Sequence, residues 1–384
     1  MHRPGRILPR TAFIRSKDDN DAAVRITSLA LVEGLGKLGI ESKTLRLSDV
    51  NLNLDFYDLI VFHYNDHEAI KYIRANKTTN SLKICLGSDI YSFKYYTDLQ
   101  DITDYFVMPT DLHKMVLSSA LSKPVYVMPE CVDAMAITPD ESVENLTGFR
   151  GRSQRRVCWF GYSESFAKGM SSIIPVINRA MSERKIDSFS LILDQKNFIN
   201  KFNFPTIEFH YREFQKTSLA FDYAILSHFP LDLRVNSLIK SPNKAITSFC
   251  ANMIPIASRT PSYENLFDQL NVSDFLFSSP AELDRKLSAL DPVADSHRLA
   301  QQQVRQTLGR IFSPKAIAAR FINIYGEYQA SGGRSAVLPP IGGVENDSRD
   351  LYFSDHLKAL YPTAKSALQS RMRKIFHNYK SGQV

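Results

Sequence analysis

The sequence predicts two doubly wound α/β domains in succession, and three observations carry that expectation. Short runs rich in β-branched and aromatic residues alternate with stretches of helical periodicity, as parallel sheets covered on both faces require. The alternation breaks between residues 134 and 155, where Pro139, Gly148, Gly151 and a run of arginines replace it. It then restarts at residues 156–161, RVCWFG, a strand entering a glycine turn. At 384 residues the chain is too long for one ordinary domain of this class and long enough for each of two to bury a core.

In the first half, residues 11–15 (TAFIR) read as a strand. A helix follows over 21–38, with Val24, Leu29, Leu31, Leu35 and Leu38 near helical spacing and Gly39 stopping it. Further strands are expected at 42–47, 57–63, 82–86, 105–108 and 125–128. In the second half they fall at 156–161, 189–193, 207–210, 223–226, 254–258 and 275–277, and 313–328 reads as a closing helix. Residues 331–349, rich in Gly, Pro and Ser, read as a linker. The expected organisation is a domain over 1–134, a linker over 135–155, a domain over 156–330 and a detached tail over 350–384.

With 44% hydrophobic and 23% charged residues, the composition is that of a soluble globular protein and argues against extensive disorder. Lysine and arginine outnumber acids by 47 to 40, a formal +7. That excess favours phosphate-bearing ligands, anionic membrane surfaces or nucleic acid without choosing among them. No apolar run approaches the roughly 18 residues of a membrane span, and the basic N-terminus has no apolar stretch behind it, so a cytoplasmic protein is expected. Cys85, Cys131, Cys158 and Cys250 form no C-x-x-C pair and read as buried reduced thiols.

The most informative stretch is Lys240-Ser241-Pro242-Asn243-Lys244, between the strands at 223–226 and 254–258. Ser241 suits a helix N-cap and Pro242 the first helical position, so a helix is expected from here to about Asn252. Both lysines then flank its positive end. Cations there are unfavourable unless an anion sits between them, and backbone N–H groups, the helix dipole and two ammonium groups would together hold a diphosphate. The bland alternative is a capped helix with solvated lysines.

With both halves in view, the chain resembles a glycosyltransferase of the GT-B type, the two-domain class that binds a nucleotide sugar in the interdomain cleft. Within that class it is similar to the bacterial family with a Lys-Ser-x-Asn-Lys/Arg phosphate-side helix. Four segments carry the resemblance: 126–133 (YVMPECVD), 157–169 (VCWFGYSESFAKG), 241–258, and 260–266 (TPSYENL). It implies two Rossmann-like domains facing across a cleft, with Gly161, Lys168, Lys240, Ser241, Asn243 and Lys244 at the donor diphosphate. Glu264 would then meet the ribose hydroxyls and Tyr263 pack on the nucleotide or sugar, although either residue would equally begin a capped helix. The sequence departs from the class where many retaining members carry two glutamates eight positions apart, since Lys240 and Ser248 stand there instead. Tyr162 replaces the arginine usual after the opening glycine.

A transfer that inverts configuration needs a base for the acceptor hydroxyl. Asp18, Asp19, His63 and Asp89 all follow first-domain strands and so are expected on the cleft side. Asp18 and Asp19 would equally cap the helix after them. Asp19-Asn20-Asp21 is a D-x-D triplet and His63 and His67 have i, i+4 spacing, but neither carries the rest of a metal signature, so no metal or other cofactor is expected. The partners implied are a nucleotide sugar and a saccharide or lipid-linked acceptor, with no nucleic acid. Over 365–380, Lys365, Arg371, Arg373, Lys374 and Lys380 combine with an apolar stripe in a basic amphipathic helix. It would lie on an anionic membrane surface or pack back on protein. The function these readings imply is sugar transfer to a hydroxyl in cell-surface polysaccharide or glycolipid synthesis. The alternatives are a nucleotide-sugar epimerase or a degenerate scaffold of the same fold.

Overall fold

The computed structural model describes residues 8–19, 21–48, 53–76, 80–90, 93–133, 154–194, 203–228, 239–301 and 304–332. The tail expected over 350–384 and nearly all of the linker expected over 135–155 lie outside these residues. Strands β1 (Thr11–Arg15), β2 (Ser42–Arg46), β3 (Leu59–His63), β4 (Leu82–Leu86), β5 (Tyr105–Met108) and β6 (Val125–Val127) form one sheet in the order β2-β1-β3-β4-β5-β6. A second sheet holds β7 (Arg156–Gly161), β8 (Ser188–Leu193), β9 (Thr206–Glu208), β10 (Tyr223–Leu226), β11 (Ile254–Ser258) and β12 (Leu276–Phe277) in the order β12-β11-β10-β7-β8-β9. Every strand pair is parallel. β1, β3, β5, β10 and β11 are buried along their whole length, as strands with helices on both faces must be.

One device pins the amino ends of both sheets. An aspartate just before a strand accepts the backbone N–H at the start of the neighbouring strand: Asp58 from Arg10 at 2.8 Å, Asp104 from Lys83 at 2.7 Å, Asp187 from Arg155 at 2.6 Å and Asp222 from Arg156 at 3.2 Å. Register is therefore set at one end of each sheet, and the loops at the carboxyl ends are left to bind ligands.

The first helix differs from the regular one expected over 21–38. After Ala22 and Ala23, Val24–Leu29 is π-helical, and Ala30–Lys37 is α-helical. The wide turns carry Arg25, which is 2% exposed and donates from Nε to Asp133 Oδ2 at 2.9 Å. Such π-helical turns within α-helices are frequent at functional sites.

The closing helix, Pro314–Ala330, begins at an N-cap Ser313 whose Oγ accepts the Ala316 N–H at 3.3 Å. Sequence order grouped it with residues 156–330, yet its packing is with the first sheet. The Pro314 carbonyl lies directly against Gly34, where a Cβ would overlap it. Phe321 meets Phe13 at 6.2 Å between ring centroids, Tyr328 meets Tyr105 at 4.7 Å, and Arg320 Nε donates to the Val127 carbonyl at 3.1 Å. No helix among the described residues is long and apolar enough to cross a membrane.

This docking makes opposite demands on two glycines of one helix. Gly34→Ala should cost about 1–3 kcal/mol by overpacking. Gly36, whose added Cβ meets nothing within 4 Å, should tolerate alanine with a neutral effect or a gain of up to about 1 kcal/mol. Urea unfolding of the two variants is the check, and equal effects would mean that the closing helix is not seated on Gly34.

Candidate active site in the interdomain cleft

Strand order in the second sheet reverses between β7 and β10, so the crevice beyond their carboxyl ends is the expected ligand position. β7 ends in Gly161 at φ 144°, a conformation that favours glycine. The Lys244 ammonium fills the space where a side chain at 161 would go. That ammonium lies 4.4 Å from the Trp159 ring centroid and 6.0 Å from that of Phe160. The helix bearing it is Asn243–Cys250, one residue shorter at its start than expected: Pro242, not Ser241, takes the N-cap position. Ser241 Oγ still accepts the Asn243 N–H at 3.3 Å. Beside them, helix Ser163–Met170 passes so close to the exit of β10 that a Cβ on Gly169 would come within 2.5 Å of the Ser227 carbonyl oxygen. Lys168 falls on that helix, and its side chain lies outside the described residues.

Four contacts in close succession stitch the start of the lysine-bearing helix to the first domain. Ile239 is 1% exposed and packs into the core cluster of the first sheet. Lys240 Nζ pairs with Asp89 Oδ1 at 2.6 Å, the Ser241 hydroxyl bonds the Glu130 carboxyl, and Asn243 Nδ2 donates to the Cys131 carbonyl at 3.0 Å. The segment carrying Asp89 is itself held by His113, whose Nε2 donates to the Ser88 carbonyl at 2.8 Å while Nδ1 accepts from the Thr110 hydroxyl at 2.7 Å.

The first sheet reverses its order at β1 and β3, and their carboxyl ends carry the other expected residues. His63 Nδ1 lies 2.7 Å from Asn65 Oδ1, which fixes the ring proton on Nδ1 and leaves Nε2 as an acceptor; Nε2 is buried, with no hydrogen-bond partner among the described residues. Burial holds this imidazole below the usual histidine range, against the Asn65 bond that favours its charged form. Asp66 ties the two strand ends together, accepting from the Ser16 N–H at 2.8 Å and hydroxyl at 2.5 Å, and it caps helix His67–Ala75 through the Ala69 N–H at 3.1 Å. Asp19 is engaged by Arg15 at 2.7 Å and Arg46 at 3.0 Å. Burial would raise its pKa, but the two guanidinium groups together hold it low, which makes it a weak base. Asp18 is exposed in the loop after β1, and Asn20 lies outside the described residues. Among the described residues no group of three or more His, Cys, Asp or Glu is placed to hold a metal.

One donor-side expectation gives way to packing. Tyr263 is 1% exposed, tilted against His228 at 5.7 Å and Phe267 at 6.3 Å, so its ring is part of the core and offers no face to a ligand. Glu264 lies in the first turn of helix Pro261–Gln269, capped by Thr260, and pairs with Arg259 at 3.1 Å. The sequence reading missed Glu130 and His228. Glu130 was visible as an acid directly after a strand at the domain crossover, where the carboxyl-end rule points it at the cleft. His228 follows β10 in the same way.

Charge is suppressed around the lysines. Burial first, and Lys240 second, bring the Lys244 ammonium down to about 7. His228 is brought to about 3 by burial and then by Lys244 and Lys240, and His113 to about 4 by burial. Lys244 has no carboxylate within ion-pairing distance among the described residues, so the site carries a cation that it disfavours until an anion arrives. Because the folded pKa lies below the unfolded 10.5, the unfolded chain holds the extra proton between about pH 7 and 10.5. Stability of the wild type, relative to Lys244→Met, should therefore rise with pH across that window. Urea melts of both at pH 6, 8 and 10 test this, and parallel trends would place Lys244 in an ordinary environment.

No protein-family model and no curated protein matches the sequence. Solved structures do match it in three dimensions. An α,α-trehalose-phosphate synthase (UDP-forming) from Burkholderia vietnamiensis superposes over 85% of this chain and 100% of its own, with 11% identity and a TM-score of 0.55. A sucrose-phosphate synthase from Thermosynechococcus elongatus does so over 84% and 99%, with 13% identity and a TM-score of 0.54. An alpha-glucosyltransferase in complex with UDP and a 13-mer DNA does so over 83% and 100%, with 13% identity and a TM-score of 0.56. Of TarM the chain spans 54% of the length, with 10% identity and a TM-score of 0.47. Two parallel six-stranded sheets with their carboxyl ends at a shared cleft, the architecture expected from the sequence, thus give this chain the two-domain GT-B fold.

Proposed function

We propose that the protein is a glycosyltransferase that moves a sugar from a nucleotide-diphosphate donor to a hydroxyl acceptor, as in the synthesis of cell-surface polysaccharide or glycolipid. The observation that carries this reading is Lys244: an ammonium with no carboxylate in ion-pairing distance among the described residues, set against Gly161 and Trp159 at the positive end of a helix and at the switch point of a parallel sheet. A diphosphate there would restore the lysine's charge and complete the site. Lys240, Lys244 and the helix dipole would then neutralise the charge that develops on the leaving diphosphate, work that otherwise falls to a metal ion, so the reading requires no metal.

For the acceptor, His63 fits the role of base better than Asp19 or Asp89. Its Nδ1 is fixed by Asn65 and its unprotonated Nε2 has no partner among the described residues, whereas Asp19 is held by two arginines and Asp89 by Lys240. Burial lowers its pKa and so favours the neutral ring, the form that can accept a proton. The basic stretch 365–380 would bring the enzyme to an anionic leaflet if the acceptor is lipid-linked.

Thermal melts against UDP, GDP, CMP, dTDP and their sugar esters test the donor site, because a ligand that binds only the folded state raises its melting temperature. One nucleoside diphosphate should raise it. Lys240→Ala and Lys244→Ala should abolish the rise, and affinity should decline as pH climbs above 7, where the free Lys244 loses its proton. No rise with any of these ligands would sink the reading. Product analysis then separates transfer from epimerisation, which would release an altered sugar without any acceptor.

A further inference from the structure

We infer that Lys17 and Asn65 are positioning residues for His63, and that Lys17 selects the ring tautomer in which Nδ1 carries the proton and Nε2 is open to accept one. The inference rests on the reading above of His63 as the base for the acceptor hydroxyl. Two nitrogens converge on one atom of Asn65. Its Oδ1 lies 2.7 Å from His63 Nδ1 and accepts from Lys17 Nζ at 3.0 Å. An asparagine amide keeps nearly the same shape with its oxygen and nitrogen exchanged, so contact with the ring does not by itself say which of the two faces Nδ1. Lys17 decides it. An ammonium has donors and no acceptor, so the atom it meets must be the oxygen. The same oxygen faces His63, and there the ring nitrogen has to donate.

The surroundings hold Lys17 to this task. Its carbonyl accepts from Arg15 Nη1 at 3.0 Å, and its neighbour Ser16 is tied through N–H and hydroxyl to Asp66, the residue after Asn65. Its ammonium pairs with Asp21 Oδ2 at 3.2 Å, while Asp21 Oδ1 accepts the Ala23 N–H at 2.8 Å. The segments after β1 and β3 are thus fixed against each other, and the lysine spans them. Asp21, the last member of the D-x-D triplet, serves as its anchor. The consequence falls on the far side of the ring, where Nε2 is buried with no hydrogen-bond partner among the described residues. With the Asn65 amide reversed, the proton would sit on Nε2, and that nitrogen could not take one from a hydroxyl. Burial first, and the Lys17 charge in the same direction, hold the ring below the usual histidine range, so the neutral form is the one on which this choice acts.

Two-bond proton–nitrogen NMR of the full chain with isotope-labelled histidine reads the tautomer directly and needs neither nucleotide nor acceptor. His63→Gln identifies the His63 signal among the 9 histidines. At pH 8.5 the wild type should show Nδ1 protonated and Nε2 bare. In Lys17→Met the Nε2–H form should rise from under about a tenth of the ring to about a third or more, because either face of the amide can then meet Nδ1. Lys17→Arg, which also only donates, should keep the wild-type signal. Adding Asn65→Asp to Lys17→Met should restore it, since a carboxylate presents oxygen whichever way it turns; a merely structural role for Lys17 gives no such recovery. Should Lys17→Met fail to fold, Lys17→Gln, whose amide can turn either way, gives the same reading. An unchanged tautomer in the folded variant overturns the inference, and so does a wild type with its proton on Nε2. A tautomer that follows Lys17, together with full transfer by His63→Gln, would instead remove His63 from the acceptor step and leave Lys17 in control of the ring.

Discussion

Arg25 is the residue on which the relation between the two sheets depends. It rises from the π-helical start of the first helix, is 2% exposed, and pairs with Asp133 at 2.9 Å, in the segment that leaves the first domain. Its guanidinium also lies 5.0 Å from the Tyr211 ring and 5.6 Å from that of Phe209, both in the second domain. One buried cation thus touches the first domain, the crossover and the second domain. A buried pair of this kind adds little net stability compared with apolar packing. Removing one partner costs about 3–5 kcal/mol, because the other charge is then stranded. The pair therefore penalises any arrangement in which the domains separate.

That constraint explains how two lysines are tolerated at the positive end of a helix. Lys240 is offset by Asp89, which belongs to the opposite domain and is in reach only when the domains are held together. Lys244 is offset by the Trp159 ring, a contact worth about 0.5–2 kcal/mol, and even so it keeps its proton weakly. The phosphate-side helix is a property of the closed pair of domains, with Ile239 inserted into the core of one and β10 and β11 in the other flanking the helix.

Much of this was legible in the sequence because it depends on local pattern. β1, β4, β5, β7, β10 and β11 lie where the apolar runs placed them, and the remaining strands differ by one or two residues at their ends. The lysine-bearing helix was legible from Ser241 and Pro242, with its start displaced by one residue. The rest depends on partners distant in sequence. Gly34 and Pro314 are 280 positions apart, so the seat of the closing helix leaves no local trace beyond a glycine in a helix. Tyr263 illustrates the opposite failure. An aromatic residue near a ligand loop reads as a stacking platform, but helical spacing from Thr260 turns it inward onto Phe267.

The two ends of each sheet follow different rules, and this is the strongest structural argument that the cleft is a working site. At the amino ends, four aspartates pin backbone N–H groups and satisfy the local demands of strand pairing. At the carboxyl ends stand a glycine at positive φ, a lysine near neutrality, and His63, His113 and His228, all held uncharged by burial. A sequence under no functional demand would place apolar residues at such positions and gain stability. Proteins depart from local consistency mainly where a site requires it. Here the departures gather where the switch points of the two sheets meet, with Lys240 and Lys244 on one side and the buried His63 imidazole on the other.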